Sequence, residues 1–380
     1  MREQCRKAAL CAILAALMLG FPTHAMQSRT PVNVASLGPQ VGESVPDFTL
    51  PDQSGQERTL QSILGPKGAV LLFHRSADWS PYCKAQLVEL QDRAEELRGQ
   101  GLGVAAISYD SVDVLSDFAE RRGITIPLLS DDDSAVITEF GILNTVAAEA
   151  IGPNKDDPGV QADARQYVSV FGASAMIVGT PFPGTFMLDA QGKVTSRFFE
   201  EFYRERNTTA NVMLRLGAGL SPIEAIEGST AHLNITAYPS NPNITVGTRF
   251  SVAVDIEPNE GIHLYAPGAE QLGYRVIGLT LNPIPHIRFE PVEFPASEIY
   301  HFEPLDERVP VYQQPFTLLQ EAVVSGEPEA EEALKQLDAV TLSGTLNYQA
   351  CDDKLCFDPV SVPLSFTLAV ENLDRQRAGR

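Results

Sequence analysis

The residues best suited to chemistry lie in FHRSADWSPYCKAQLVEL, residues 73–90, which holds Cys83 and the chain's single tryptophan, Trp79. An apolar strand pattern runs into a short polar segment and then into an amphipathic pattern that begins at Ser80 and Pro81. Serine is a favoured N-cap, and proline suits the first helical position because its missing N–H costs nothing there. Cys83 then falls at the third helical position. In that first turn, unpaired N–H groups and the helix dipole favour a thiolate and lower the thiol pKa below about 8.5. Two uses are open to such a residue: a redox-active thiol, or a small apolar side chain in a core.

A second sulfur site is NYQACDDKLCFDP, with four residues between Cys351 and Cys356 on the approach to a proline turn. Closing so short a loop removes only about 2 kcal/mol of unfolded-state entropy, against nearly 5 kcal/mol for a loop of about 100 residues. A bridge of that kind makes a weak staple. It is better suited to thiol exchange, with a purely local structural bridge as the other possibility.

The N-terminus places Arg2, Arg6 and Lys7 before an apolar run from Ala8 to Phe21 and the stretch PTHAMQS, the pattern of a secretory signal peptide cleaved after Ala25. The run is about 14 residues, short of the roughly 20 of a membrane-spanning helix. A lipid anchor at Cys11 would need a small residue before it, where Leu10 stands. Cleavage removes Cys5 and Cys11 and leaves Cys83, Cys351 and Cys356, one pair and one extra thiol in an oxidising compartment. It also removes three positive charges and one negative, taking the formal net charge from -21 to -23. Such acidity argues against nucleic acid or an anionic membrane as partner. The expected protein is exported, periplasmic or extracellular, and not embedded in a membrane. His74, His232, His263, His286 and His301 show no metal-ligand spacing, so no metal and no cofactor is expected.

The elements that must position these sulfurs differ between the two halves. From Val41 to Leu216, buried strand patterns (69–74 and 102–110) alternate with helical ones (81–99 and 111–123), which predicts an α/β domain with a parallel sheet covered by helices on both faces. An insertion of weak periodicity spans 143–180, and GTFMLDAQGKVTSRFFEEF reads as a hairpin turning at Gln191 and Gly192, followed by a helix to about Leu216. After a linker at 217–230 the apolar period changes to two, broken by Pro, Asn and Gly, which predicts an all-β sandwich over 231–371. Residues 26–40 are read as an N-terminal segment and 372–380 as a C-terminal tail.

Residues 41–216 resemble the thioredoxin-like superfamily, in particular its peroxiredoxin branch of alkyl hydroperoxide reductases and thiol-specific antioxidants. The likeness rests on VGESVPDFTLPDQSGQERTLQSILGPKGAVLLFHRSADWSPYC, GVAAISYDS, IPLLSDDD and PGTFMLDAQGKV, in order and in spacing. It implies that Cys83 is the peroxidatic thiolate and that Ser80, three residues earlier, hydrogen-bonds the sulfur or the peroxide. The family's proline seven residues before the cysteine is Ser76 here, and its arginine before GTFMLD is Pro183. Pro183 instead resembles the cis-proline of thioredoxins, which implies, with Trp79, a surface for an extended substrate. Arg75 and Arg197 are the candidates to replace the lost charge.

Residues 231–371 resemble the N-terminal periplasmic domain of the disulfide interchange protein DsbD, an immunoglobulin-like sandwich. The likeness rests on YQACDDKLCFDP, GIHLYAPG and EFPASEIY. It implies that Cys351 and Cys356 pass electrons to thioredoxin-like partners and that Phe294 caps the pair. The expectation for the whole chain is a thiol-disulfide oxidoreductase in which Cys83 exchanges electrons with Cys351 and Cys356, acting on a peroxide or a thiol/disulfide protein partner. Two alternatives stand beside it: a hydroperoxide reductase recycled by an external thioredoxin-like donor, and a non-catalytic polypeptide-binding protein.

Overall fold

The structure is a computed structural model that describes residues 33–161, 175–199, 204–217, 225–303 and 306–379. The expected signal peptide, part of the insertion (162–174) and half of the linker (218–224) lie outside the described residues.

The first half opens with a hairpin of β1 (Thr49–Pro51) and β2 (Glu57–Thr59), followed by α1 (Leu60–Ile63). Its main sheet has the order β5-β4-β3-β6-β7, with β3 (Gly68–Phe73), β4 (Leu102–Ser108) and β5 (Leu128–Ser130) parallel. The sheet is mixed, because β6 (Gly184–Leu188) and β7 (Val194–Phe199) form an antiparallel hairpin on its other edge. Every residue of β3 is buried, which is why its sequence runs apolar without alternation. α2 (Pro81–Gly99) and α3 (Val112–Arg122) cover one face, where Leu87, Leu90, Leu97, Leu115 and Phe118 meet Val70, Leu72 and Val104. On the other face α4 (Ala135–Glu139) brings Val136 and Ile137 onto Leu71, Phe73 and Phe186, and Asp131 accepts from the N–H groups of Val136 and Ile137 at its start. Residues 145–161 and 175–176 belong to a separate unit, with α5 at Thr145–Ile151 and an Asp157 side chain that accepts from Gly159 and Val160 N–H.

Among the described residues, the second half contains three sheets. The first has the order β15-β18-β12-β10-β9, built from β9 (Ile226–Ser229), β10 (Leu233–Pro239), β12 (Thr248–Pro258), β15 (Ile287–Glu293) and β18 (Phe316–Val324). The second has the order β11-β21-β19-β14, from β11 (Asn243–Ile244), β14 (Gly278–Leu281), β19 (Ala339–Tyr348) and β21 (Val360–Val370). Phe250, Val252, Val254 and Ile256 of β12 point into a core shared with Leu342 and Leu346 of β19 and Phe366 and Leu368 of β21. A third small sheet, β16-β17-β13-β20, carries the paired cysteines and comprises β13 (His263–Tyr265), β16 (Glu298–Phe302), β17 (Glu307–Tyr312) and β20 (Ala350–Cys351).

Strand alternation predicts one wet face for each sheet, but β12 is buried on both. Ala253 on its outward face, with Tyr238 of β10, packs in one cluster with α2 and with the helix Thr209–Arg215. A short strand, β8 (Arg206–Asn207), pairs in parallel with Thr248 and Arg249 of β12, beyond Val252 where the β10 pairing stops. The residues expected as a helix running up to Leu216 thus include a strand of the sandwich sheet. Tyr82, in the first turn of α2, is buried in the sandwich core, and Arg93 donates to Ser240 O at 2.8 Å.

Candidate functional site

Cys83 is completely buried, and its sulfur accepts from three donors. Ser80 Oγ lies at 3.0 Å, the Arg75 backbone N at 3.4 Å and Arg206 Nη2 at 3.5 Å. Ser80 begins α2, yet its hydroxyl makes no helix cap. It is turned toward the sulfur and accepts from Arg75 Nη2 at 3.2 Å. Burial alone would push the Cys83 thiol up, because a thiolate loses its hydration. The guanidiniums of Arg206 and then Arg75, helped by the Ser80 hydroxyl, outweigh burial and bring the pKa down to about 6. Charges so close and so dry interact far more strongly than in water. These neighbours favour the thiolate form of Cys83 at neutral pH.

The surrounding loop holds this arrangement. Asp110 accepts from Ser76 Oγ at 2.8 Å, Ala77 N at 2.6 Å and Ser108 Oγ at 3.0 Å, and burial raises its pKa to about 6 despite those bonds. Trp79 Nε1 donates to Tyr109 Oη at 2.7 Å, and the Arg75 guanidinium lies 5.2 Å from the Trp79 ring centroid. His74 is fully buried, neither ring nitrogen has a hydrogen-bond partner, and burial followed by repulsion from Arg206 lowers its pKa to about 3. The segment after β21 returns to this loop. Arg377 Nε and the Ala378 N–H reach the Asp78 carboxylate at 2.8 and 2.7 Å, and Lys84 Nζ donates to Gln376 O.

The second sulfur site is a disulfide between Cys351 and Cys356. It borders a cavity lined by His263, Tyr265, Tyr274, Tyr300, Phe302 and Leu355, among others. The Tyr265 hydroxyl is 3.4 Å from Cys356 Sγ, and Tyr265 stacks on Tyr274 with ring centroids 4.2 Å apart. The His263 ring lies 4.7 Å from that of Tyr300. Asp352 accepts from the Lys354 and Leu355 N–H groups and closes the tight loop between the two sulfurs. Among the described residues, no group of three potential metal ligands converges.

Residues 41–197 match the model of the AhpC/TSA family, and residues 237–364 match that of the thiol:disulfide interchange protein DsbD, N-terminal. The chain joins an AhpC/TSA domain to a DsbD N-terminal domain. Within the AhpC/TSA domain it is 36% identical over 103 residues to peroxiredoxin Bcp of Escherichia coli (strain K12), covering 27% of this chain and 65% of that protein. It is 38% identical over 103 residues to a putative peroxiredoxin of Mycobacterium tuberculosis (strain CDC 1551 / Oshkosh), covering 27% and 66%. The chain thus spans a little under two thirds of the length of these curated relatives. The crystal structure of the peroxidoxin BcpB from Mycobacterium tuberculosis aligns at 27% identity with a TM-score of 0.33, over 43% of this chain and 88% of that one.

In the AhpC/TSA domain the structure brings Ser80, Cys83 and Arg75 together. It places Arg197 elsewhere, 4.9 Å from the Phe199 ring centroid and bonded to Ala35 O. Trp79 is only 8% exposed, so its ring braces Arg75 and offers little surface to a substrate. Pro183 precedes Gly184, which pairs with Phe73 at the strand end where the Cys83 loop begins, but no described peptide bond is cis. The thioredoxin-like cis-proline expected there is therefore corrected to a trans residue. In the DsbD N-terminal domain the expected cap, Phe294, lies just past the end of β15 and is 36% exposed. Phe294 is not among the residues lining the cavity beside the disulfide, whereas Tyr300 and Phe302 of β16 line it together with Tyr265 and Tyr274.

Sequence reasoning missed Arg206, 123 residues from Cys83 and outside both family matches. Its place depends on the pairing of β8 with β12, which no local pattern announces. The residues about Cys83 and those about the disulfide have no member in common.

Proposed function

We propose that this chain is an exported, thiol-dependent oxidoreductase of peroxiredoxin type, in which Cys83 reduces a small hydroperoxide and the Cys351/Cys356 pair returns the electrons. The support is the setting of Cys83, a buried sulfur facing two guanidiniums and a hydroxyl donor. The Cys83 thiolate attacks a peroxide oxygen, so that an S–O bond forms and the O–O bond breaks. The departing oxygen takes up a proton and leaves as water or an alcohol, and Cys83 becomes a sulfenic acid. Arg206, Arg75 and Ser80 stabilise the charge that moves from sulfur to the leaving oxygen.

A thiol of the reduced pair then displaces water from the sulfenic acid to form a mixed disulfide, and the second thiol releases Cys83 and closes the Cys351–Cys356 bridge. An external dithiol, such as a thioredoxin-like protein, reopens that bridge. A free Cys83 beside a closed Cys351–Cys356 bridge is the state in which this cycle ends. Complete burial of Cys83 favours a small substrate over a polypeptide.

The test is an oxidation map. The mature protein is reduced, given one equivalent of hydrogen peroxide, trapped with a thiol reagent and digested for mass spectrometry. A Cys83 link to Cys351 or Cys356 within one chain supports the internal relay. Because a completed cycle also leaves Cys83 a thiol and the pair closed, the map is repeated on Cys83→Ser: a pair that oxidises with peroxide as fast without Cys83 refutes peroxide chemistry at that sulfur. A second reading, direct recycling of Cys83 by an external thiol donor, is favoured by the separate surroundings of the two sites. It predicts undiminished peroxide turnover in a Cys351→Ser/Cys356→Ser protein.

A further inference from the structure

We infer that the β-sandwich is part of the Cys83 site: its β12 edge holds Arg206 against the sulfur, so that the reactivity of Cys83 depends on the docking of the second domain. This rests on Cys83 being the reactive thiol. Arg206 belongs to a two-residue strand with almost no structure of its own. Its N–H donates to Gly247 O at 2.7 Å, and it lies opposite Thr248 in the register of β8 on β12. From that anchor its guanidinium reaches back, with Nη1 donating to Glu205 O at 2.6 Å and Nη2 to Cys83 Sγ. The neighbouring Glu205 carboxylate is bound in turn by Arg249 of β12 at 2.8 Å.

The junction is closely fitted at one residue. Gly247 has a φ of +82°, and a Cβ there would lie 2.1 Å from Arg204 O and 3.0 Å from Tyr82 Cδ1. No side chain fits without moving the backbone that carries Arg206 or the first turn of α2 that carries Cys83. Gly247 therefore couples the sandwich to the sulfur while touching neither Cys83 nor a peroxide. Without Arg206, the sulfur would keep one neighbouring guanidinium, that of Arg75, and the hydroxyl of Ser80. Complete burial would then weigh more heavily against the thiolate. His74, fully buried next in the chain to Arg75, is held neutral by burial and by repulsion from Arg206 and adds no positive charge.

The experiment measures the pH dependence of Cys83 alkylation by iodoacetamide in the full-length protein, followed on the Cys83 peptide by mass spectrometry. Wild type is compared with Gly247→Ala, Arg206→Gln and Arg206→Lys, each checked by its thermal melting curve. The midpoint pH is read rather than the rate, because a change in access alone leaves the midpoint where it was. The expected result is a wild-type midpoint near 6. Loss of one close guanidinium should raise it by about one to three pH units in both Gly247→Ala and Arg206→Gln, with partial recovery in Arg206→Lys. Should Gly247→Ala fail to fold, the two Arg206 variants decide alone. A midpoint that stays low in folded Gly247→Ala and Arg206→Gln overturns the inference and leaves the reactive thiol intact. A wild-type midpoint in the ordinary cysteine range overturns the reactive thiol itself and the inference with it.

Discussion

The two sulfur sites are built on opposite plans. Cys83 is a single sulfur sealed from solvent, with its charge held by two arginines and a serine. Cys351 and Cys356 are joined to each other beside an aromatic cavity, with a tyrosine hydroxyl near one sulfur and the exposed Leu355 between them. The first arrangement suits attack on something small, where a preformed positive field lowers the barrier. The second suits exchange with another protein's thiols, where exposure and a short loop matter more than charge. On the proposed cycle, one chain separates nucleophile strength from partner access, which a single dithiol motif must balance in one place.

The sharpest way to break the comparison is Cys83→Ser. Peroxide consumption, followed by the ferrous-xylenol orange assay on the reduced protein, should fall to background, while the Cys351–Cys356 bridge still forms with a disulfide oxidant. Equal peroxide consumption by the variant would mean that the open site carries the chemistry.

The pH dependence of stability should also differ between the sites. The Cys83 pKa is lower in the fold, about 6, than in the unfolded chain, so the unfolded chain holds more protons between about pH 6 and 9. Stability from this group is present at high pH and is lost as pH falls through 6, at up to about 1.4 kcal/mol per pH unit. Urea midpoints of wild type and Cys83→Ser should therefore diverge as pH rises from 6 to 8.5. His74 acts in the same direction over a lower window, because its folded pKa of about 3 lies below the ordinary 6.5 and acid favours the unfolded chain there.

Arg75→Met removes the second guanidinium but keeps the backbone N–H on the sulfur. A rise of about one pH unit in the Cys83 alkylation midpoint is expected, which near pH 6 lowers the thiolate fraction several-fold. At the other site, Tyr300→Ala should speed reduction of the disulfide by dithiothreitol several-fold, while Phe294→Ala leaves it unchanged. The opposite order would restore Phe294 as the cap.

The frame of both halves was legible because burial writes itself into the sequence in two different ways. β3 is buried on both faces and reads as an unbroken apolar run, while β19 and β21 alternate. Cys83 was legible for a local reason, the Ser80-Pro81 helix start. What stayed hidden depends on distant pairing. Arg206 looks like one more charged residue in a helical stretch until β12 gives it a partner, and the segment Asp374–Ala378 reads as a solvated tail until Arg377 meets Asp78. Tyr300 and Phe294 are both aromatic residues near a loop, and only the end of β15 and the start of β16 tell them apart.

The pairing of β8 with β12 also sets a timetable. Ribosomes deliver a chain from its N-terminus, so Cys83 emerges well before the strand that pins Arg206. Until residues 248–249 arrive to hold that strand, the nascent first half carries a sulfur without its second guanidinium, which on the inference above would react as an ordinary thiol. If Arg206 activates Cys83 as inferred, assembly of the last domain arms the first, and the sulfur stays quiet until its surroundings are complete.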